Sequence, residues 1–249
     1  MSKLLRLDKY LSSQGFGSRT QAQQLIKKGH VRVDDQLVLL PATKVDPQKQ
    51  TVQVDGKEIL FSFHHHLMFY KPSGYITAVK DPRHPTVAQL LPKEYLKKGC
   101  MPVGRLDKDT TGLLLFTTDG ALAHGLLAPK QQIKKAYEVI VEGILSPQDI
   151  EAFAKGICLK DFTTLPAVLE ILSVKQNSSH AIVTLFEGKY HQVKRMFLAI
   201  GKPVLSLHRQ GFASLLLDSS LSPGSFRPLS DKEVDCLYQD LKKGDEPLV

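Results

Sequence analysis

The sequence is poor in cysteine and has no long apolar segment. Its three cysteines, Cys100, Cys158 and Cys236, are far apart and show no CxxC spacing. This pattern argues against a disulfide framework and is typical of a reducing compartment. No apolar run approaches the length of a membrane span, and the N-terminus lacks the apolar core of a signal peptide. We therefore expect a cytoplasmic protein with no membrane partner.

Ligand sets for metals and nucleotides are also missing from the sequence. The cysteines do not have zinc-site spacing, and no glycine-rich nucleotide-binding loop is present. His64, His65 and His66 are adjacent, so they cannot all face one metal ion from a strand or a helix. We interpret these histidines as a linker or the start of a strand, and we expect neither a metal nor another cofactor.

What the sequence does contain is an ordinary globular composition with an excess of positive charge. Of its 249 residues, 42% are hydrophobic and 23% charged, which is enough for a core in one large domain or two small ones. Lys and Arg number 33 against 25 acidic residues, so the net charge is +8, which favours a polyanionic partner. Residues 1–33 contain one acid, Asp8, and seven bases: Lys3, Arg6, Lys9, Arg19, Lys27, Lys28 and Arg32.

The first 60 residues predict two helices followed by strands. A first helix is indicated by leucines at helical spacing, Leu4, Leu7 and Leu11. Ser18 and Gln21 form a capping-box pattern for a second helix, which Gly29 ends. The segment 30–39, with a turn at Asp34 and Asp35, predicts a hairpin, and 51–54 predicts a further strand.

A basic face on the second helix has two interpretations. Arg19, Gln23 and Lys27 lie four apart and share one face, and such a face is usually only solvated. With the capping box and the hairpin, however, the segment resembles the S4 RNA-binding domain over residues 3–60. The resemblance implies contacts to the backbone of a folded RNA by Arg6, Lys9, Arg19, Lys27, Lys28 and Arg32.

Residues 63–243 predict a second domain, followed by a short tail at 244–249. Residues 137–142 alternate as expected of a strand, and 181–186 predict another strand. An apolar stripe along 190–200 predicts a helix that ends at Gly201. Strands outnumber helices without a regular βαβ rhythm. The sequence therefore predicts an α+β fold on a largely antiparallel mixed sheet with flanking helices, after a small N-terminal module of residues 1–62.

The segment 104–120 concentrates polar groups directly before an apolar strand. Asp107 and Asp109 are two residues apart, with Arg105, Lys108 and two threonines beside them. From spacing alone, the favoured interpretation is a loop held by side-chain hydrogen bonds to its own backbone. A metal site is disfavoured because no third acidic or histidine ligand stands nearby.

Four segments in order resemble the motifs of the pseudouridine synthases, in the branch that modifies ribosomal RNA and carries an S4 domain: 71–75, 104–120, 134–139 and 187–197. The resemblance implies isomerisation of uridine without a cofactor, on an extruded base. It implies that Asp107 is the nucleophile, paired with Lys194. Tyr137 would stack on the base, and Arg105 would fill the space that the base leaves. Phosphate contacts would come from Lys130, Lys134, Lys135, Lys189 and Arg195.

Three further segments indicate the substrate. Residues 81–87, 190–195 and 207–209 most resemble the small-subunit members of this branch. We expect a monomer that acts on small-subunit (16S) ribosomal RNA, in a partly assembled particle. The alternatives are an enzyme for large-subunit RNA and a non-catalytic RNA-binding assembly factor. An inactive descendant would be expected to lose the carboxylate or its basic partner, and both Asp107 and Lys194 are present.

Overall fold

A computed structural model describes residues 4–47, 49–59 and 64–243. The described residues form two compact units, one within 1–65 together with 92–100 and the other within 66–91 and 101–249. We call the first the N-terminal unit and the second, which the sequence resemblance predicts to be catalytic, the catalytic unit. The predicted domain boundary at residues 62 and 63 and the predicted tail, 244–249, lie outside the described residues.

The core of the N-terminal unit packs the first two of its three helices against short antiparallel strands. Strand β1 pairs with β4, and a second sheet has the order β3-β2-β5-β6. Its core contains Leu7, Leu11, Ile26, Val31 and Val52. The elements are β1 (Leu5–Arg6), α1 (Leu7–Ser13), α2 (Arg19–Lys27), β2 (Val31–Val33), β3 (Gln36–Leu37), β4 (Lys44–Val45), β5 (Val52–Val54), β6 (Lys57–Glu58) and α3 (Lys93–Lys97).

The local signals of this unit are largely confirmed. Ser18 Oγ accepts from the backbone N–H of Gln21 at 3.3 Å, and Gln21 Oε1 accepts from the N–H of Ser18 at 2.8 Å. Asp34 and Asp35 have φ angles of +48° and +61°, as a tight hairpin turn requires. The prediction that Leu4 belongs to the apolar stripe of the first helix is wrong. It is 56% exposed, because the next two residues pair with β4 as a strand and α1 begins only at Leu7.

The catalytic unit is built on one large sheet. Within the described residues, nine strands contribute to it, in the order β11-β12-β10-β13-β9-β7-β15, with β14 beside β13 and β8 beside β9. Its strand pairs are antiparallel except β13 with β9. The predicted α+β class with a largely antiparallel mixed sheet is confirmed.

The elements of the catalytic unit are β7 (His66–Lys71), β8 (Met101–Pro102), β9 (Thr111–Thr117), α4 (Gly120–Leu127), β10 (Lys135–Glu142), α5 (Pro147–Lys155), β11 (Val168–Lys175), β12 (Ser178–Leu185), α6 (Gln192–Ala199), β13 (Val204–Phe212), β14 (Leu215–Leu216), β15 (Phe226–Pro228), α7 (Asp231–Lys243), and short 3-10 helices at Val87–Leu90 and Pro129–Gln131.

Strands β9, β10 and β13 lie in the middle of this sheet. Residues 112–117 of β9 are all buried, as expected of a strand that is covered on both faces. Gly112 is required where β9 approaches β13, because a Cβ atom there would lie 2.2 Å from the carbonyl oxygen of Arg209 and the φ angle is +109°. None of the helices in the described ranges is long and apolar enough to cross a membrane.

Candidate active site

The loop that carries Asp107 connects β8 to β9 and is held by a buried lysine. Lys71, at the end of β7, is fully buried, and its ammonium donates to the carbonyl oxygens of Pro72 (3.0 Å), Lys108 (3.2 Å) and Thr110 (2.7 Å). Burial lowers the pKa of Lys71 to about 8, against the opposing effect of Asp109 and Asp107. The lysine of the first motif therefore fixes the backbone on both sides of Asp109.

Three further hydrogen bonds hold the same loop, two at Leu106 and one at Lys108. The Thr77 hydroxyl accepts from the backbone N–H of Leu106 at 3.0 Å and donates to its carbonyl oxygen at 2.8 Å. The N–H of Gly74 donates to the carbonyl oxygen of Lys108 at 2.8 Å. The backbone is thus bound to fixed partners on each side of Asp107.

The carboxylate of Asp107 faces the beginning of α6. His191 Nε2 lies 3.4 Å from Asp107 Oδ1, and Lys194 Nζ lies 3.8 Å from Oδ2. His191 precedes the helix with a φ angle of +48°, and Lys194 follows it by three residues, so both lie on one face of the first turn. With 27% of its side chain exposed, Asp107 remains accessible.

Lys194 contacts a second carboxylate more closely than the first. Its Nζ lies 2.6 Å and 2.7 Å from the two carboxylate oxygens of Asp109, and this contact lowers the pKa of Asp109. The sequence predicts a direct pair with Asp107. In the structure the ammonium is shared instead, because the loop places Asp109 beside the same side chain.

One cavity brings together the predicted site residues of the catalytic unit. It has a volume of about 130 Å³, and its lining includes Arg105, Asp107, Tyr137 and Lys194. Tyr137 is 9% exposed and pairs across the sheet with Arg209 of β13. Arg105 is exposed. These residues come from the 104–110 loop, β10 and α6, so distant segments converge on one space.

The predicted phosphate contacts in this unit lie in different environments. Lys134 is exposed. Arg195 forms an ion pair with Asp161, and its guanidinium lies 5.3 Å from the centre of the Phe162 ring. Lys189 lies over the same ring at 3.5 Å.

In the N-terminal unit, the predicted RNA-binding residues remain at the surface. Arg6 and Arg19 both bind the buried carboxylate of Asp8, at 2.9 Å and 3.2 Å. These arginines, Arg6 before Arg19, hold the pKa of Asp8 well below its ordinary range. About half of each arginine side chain nevertheless remains exposed, 46% for Arg6 and 56% for Arg19. The remaining candidates, Lys9, Lys27, Lys28 and Arg32, are exposed.

Three residues of this site, Lys71, His191 and Arg209, have no role that the sequence alone predicts. Lys71 and Arg209 are cations inside strands, with 0% and 2% of their surface exposed. For Lys71 the available signal was a lysine that follows four largely apolar residues of a strand, because lysine and arginine are seldom fully buried unless they are paired. Arg209 gives no such signal, because its strand also contains Ser206, His208 and Gln210. In the part of the chain that the structure describes, no group of three or more His, Cys, Asp or Glu side chains is arranged to hold a metal ion.

The sequence and the fold are similar to those of known proteins. The model of the family described as RNA pseudouridylate synthase matches residues 65–199, and the S4 domain model matches residues 5–51. The ribosomal small subunit pseudouridine synthase A of Vibrio parahaemolyticus is 40% identical over 236 residues, which cover 94% of this chain and 100% of that protein. Its namesake in Escherichia coli K12 is 39% identical over 234 residues, which cover 92% and 98%.

Two other relatives agree with this result. The uncharacterized RNA pseudouridine synthase YtzG of Bacillus subtilis is 39% identical over 236 residues, which cover 94% of this chain and 99% of the relative. A pseudouridylate synthase of known crystal structure matches with a TM-score of 0.66 and 33% identity, over 94% of this chain and 99% of that one. The chain therefore belongs to the RNA pseudouridylate synthase family and carries an S4 domain, as its motifs predict.

Proposed function

We propose that this protein isomerises a uridine of small-subunit ribosomal RNA to pseudouridine, with Asp107 as the nucleophile. The observation that carries the proposal is the convergence of Arg105, Asp107, Tyr137 and Lys194 on one cavity. The small-subunit substrate is supported by the relatives of that name, whose similarity extends over at least 92% of this chain.

The reaction requires a positioned carboxylate and little else. Isomerisation breaks the N1–C1′ bond, turns the base and joins C5 to C1′. The proton lost from C5 is balanced by the proton gained at N1, so no redox partner or group donor is consumed. Asp107 bonds transiently to the nucleotide and is released when the new C–C bond forms. Contacts with the imidazole of His191 and the ammonium of Lys194 orient the Asp107 carboxylate towards the cavity.

The target base must leave its helical stack to reach this carboxylate. Tyr137 lines the cavity, where its ring provides a stacking surface for the extruded base. Arg105 is exposed beside Asp107, and we assign it to the space in the RNA that the base vacates. In these roles Tyr137 binds the base, and Arg105 stabilises the RNA that the base has left.

RNA docking is assigned to the N-terminal unit, for which we propose a domain of residues 1–62. Its exposed cations, which include Lys9, Lys27 and Lys28, suit phosphates, and an S4 domain recognises the shape of a folded RNA. We propose that the protein acts as a monomer in the cytoplasm. We also propose that its substrate is a partly assembled particle, because such a particle presents folded RNA that is still accessible.

The test is to incubate the purified protein with each ribosomal RNA, free and partly assembled, and to map pseudouridines in the products. The Asp107→Asn variant serves as the matched control. We expect one modified uridine in small-subunit RNA, no modification of large-subunit RNA, and no product with the variant.

Each other outcome favours an alternative. Modification confined to large-subunit RNA would contradict the substrate assignment and leave the chemistry in place. If neither RNA is modified although both are bound, the protein is a non-catalytic assembly factor.

A further inference from the structure

The floor of the catalytic cavity contains two cations for which the mechanism above has no use. Lys135 of β10 and Arg209 of β13 both line the cavity. Their charged groups lie over one aromatic ring, with Lys135 Nζ at 5.8 Å and Arg209 Cζ at 5.0 Å from the centre of Phe212. Both distances are in the range of a cation–π contact.

A β-bulge brings these side chains to the same face of the sheet. Lys135 pairs with Phe212 and Tyr137 pairs with Arg209, which leaves Gln210 as the extra residue of β13. Without the bulge, positions 209 and 212 would point to opposite faces, because side chains alternate along a strand. With it, Lys135, Tyr137, Arg209 and Phe212 share the face that borders the cavity.

Among the residues that the structure describes, no carboxylate forms an ion pair with Lys135 or Arg209. Glu187 acts on Lys135, but its Oε1 accepts from Leu165 N and Gln192 Nε2, and its Oε2 lies 3.7 Å from Lys189. Burial and then the charge of Arg209 lower the pKa of Lys135 to about 8, so its ammonium remains mainly protonated at neutral pH. Lys135 is half-buried, and its ammonium also donates to the carbonyl oxygen of Ile133 at 2.7 Å. Two like charges held over one ring and partly removed from water are unfavourable unless an anion joins them.

Two buried polar atoms beside the cavity also lack a partner. Arg209 donates through Nε to the carbonyl oxygen of Leu113 at 2.8 Å, but its Nη2 donates to no acceptor among residues 4–47, 49–59 and 64–243. In the same ranges the Thr110 hydroxyl has no partner either, and Thr110 lines the cavity. Unmade hydrogen bonds of this kind are costly, and they mark a place that a ligand oxygen would complete.

We propose that Lys135 and Arg209, assisted by the Thr110 hydroxyl, form an anion subsite for the oxygens of the detached uracil ring. The inference rests on the proposed function. When the N1–C1′ bond breaks, its electron pair leaves with the base, and the negative charge spreads from N1 to the ring oxygens. The subsite holds this anion while the ring turns. The negative charge on the ring is neutralised when C5 bonds to C1′. C5 then loses its proton and N1 gains one.

A backbone phosphate offers the same chemistry, but the base fits the site better. The cations lie at the cavity floor beside Tyr137, and Arg209 is only 2% exposed. Phosphates remain on the RNA strand when a base is extruded into a pocket. Donors that meet charge as it develops act on the rate of the chemical step, whereas phosphate contacts act on affinity.

The experiment compares Lys135→Met and Arg209→Lys with the wild type in the full-length protein. Lys175→Met is the matched control, because Lys175 is exposed at the end of β11 in the same sheet. Single-turnover rates at saturating ribosomal RNA report the chemistry, and equilibrium binding at several salt concentrations reports the affinity. Thermal unfolding shows whether each variant is folded. If one of them is not, the other still tests the proposal.

We expect each variant to lower the single-turnover rate by roughly 100-fold, with the dissociation constant within about threefold of wild type and the control unchanged. A weaker affinity with a lower salt slope and a normal rate would overturn the assignment in favour of a phosphate. If folded variants have a normal rate and a normal affinity, Lys135 and Arg209 have only a structural role and the proposed subsite is wrong. Wild-type protein that forms no pseudouridine would contradict the proposed function itself, whereas active wild type with equally active variants contradicts the subsite alone.

Discussion

The two units of this protein bury different charges. Among the described residues, the N-terminal unit buries two carboxylates, Asp8 and Asp46, and two arginines neutralise Asp8, whereas Lys9, Lys27 and Lys28 are exposed. The catalytic unit also buries two cations, Lys71 and Arg209, and the two carboxylates that act on Lys71, those of Asp107 and Asp109, are partly exposed. Exposed charges act at long range and are screened by salt. Buried charges cannot move freely, so they suit positioning and chemistry.

The largest effect is expected from the carboxylate at the centre of the catalytic unit. Asp107→Asn keeps the size and polarity of the side chain but removes the nucleophile. We expect the single-turnover rate to fall by roughly 10⁴-fold or more, with RNA affinity within a few-fold of wild type. Rapid-quench assays and equilibrium binding measure the two quantities.

Asp109→Asn is the matched control for that variant. It removes a carboxylate two residues away that pairs with the same lysine. Because Asp109 is largely exposed (68%), the loss should stay near the level of a surface ion pair, about fivefold in rate. Equal losses in both variants would remove Asp107 from its assigned role.

The next effect concerns the buried cation that holds the catalytic loop. Lys71→Met leaves three carbonyl acceptors without their donor, so we expect the free energy of unfolding to fall by about 2 kcal/mol at neutral pH. A displaced loop should also lower the rate by about 100-fold. Urea unfolding and single-turnover assays test both.

The pH dependence of this variant has a definite sign. The pKa of Lys71 is about 8 in the folded protein, below its ordinary value of 10.5, so the unfolded chain binds this proton more tightly. The stability of the wild type relative to Lys71→Met should therefore increase between pH 8 and 10.5 and stay constant below pH 8. A relative stability that decreases across this range would contradict the burial of a charged lysine.

A smaller effect is expected from the exposed cations of the N-terminal unit. Replacing Lys9, Lys27 and Lys28 by Gln should weaken RNA binding and lower the slope of log K against log salt by roughly 0.7 to 0.9 for each lost phosphate contact. The rate at saturating RNA should not change. The corresponding replacement of Lys155, Lys160 and Lys175 in the catalytic unit serves as control. An unchanged slope in the first variant would show that the S4 domain does not contact phosphates through these lysines.

The smallest effect is a local one. Ser18→Ala removes one half of the capping box of α2 and should lower the stability of the N-terminal unit by about 1 kcal/mol. Thr20→Ala, on the exposed part of the same helix, should cost less. Hydrogen exchange of the α2 amides measures both. Equal protection in the two variants would mean that the cap contributes nothing to this helix.

Local features of the fold were predictable because their physics is local. The Ser18 capping box, the turn at Asp34 and Asp35 and the helix before Gly201 each depend on residues within a few positions of one another. The first helix was misjudged at Leu4 because the neighbouring strand forms only by pairing with β4, about 40 residues away. Periodicity alone cannot see such a partner.

By itself, the sequence determined which residues are available for chemistry and which family the chain belongs to. Only the tertiary structure decided that Lys194 contacts Asp109 more closely than Asp107, and that a bulge at Gln210 turns Arg209 towards Lys135. The physical reason is that strand register and burial depend on contacts between residues far apart in the chain. Those contacts fix the distance between two charges, and with it the chemistry that they support.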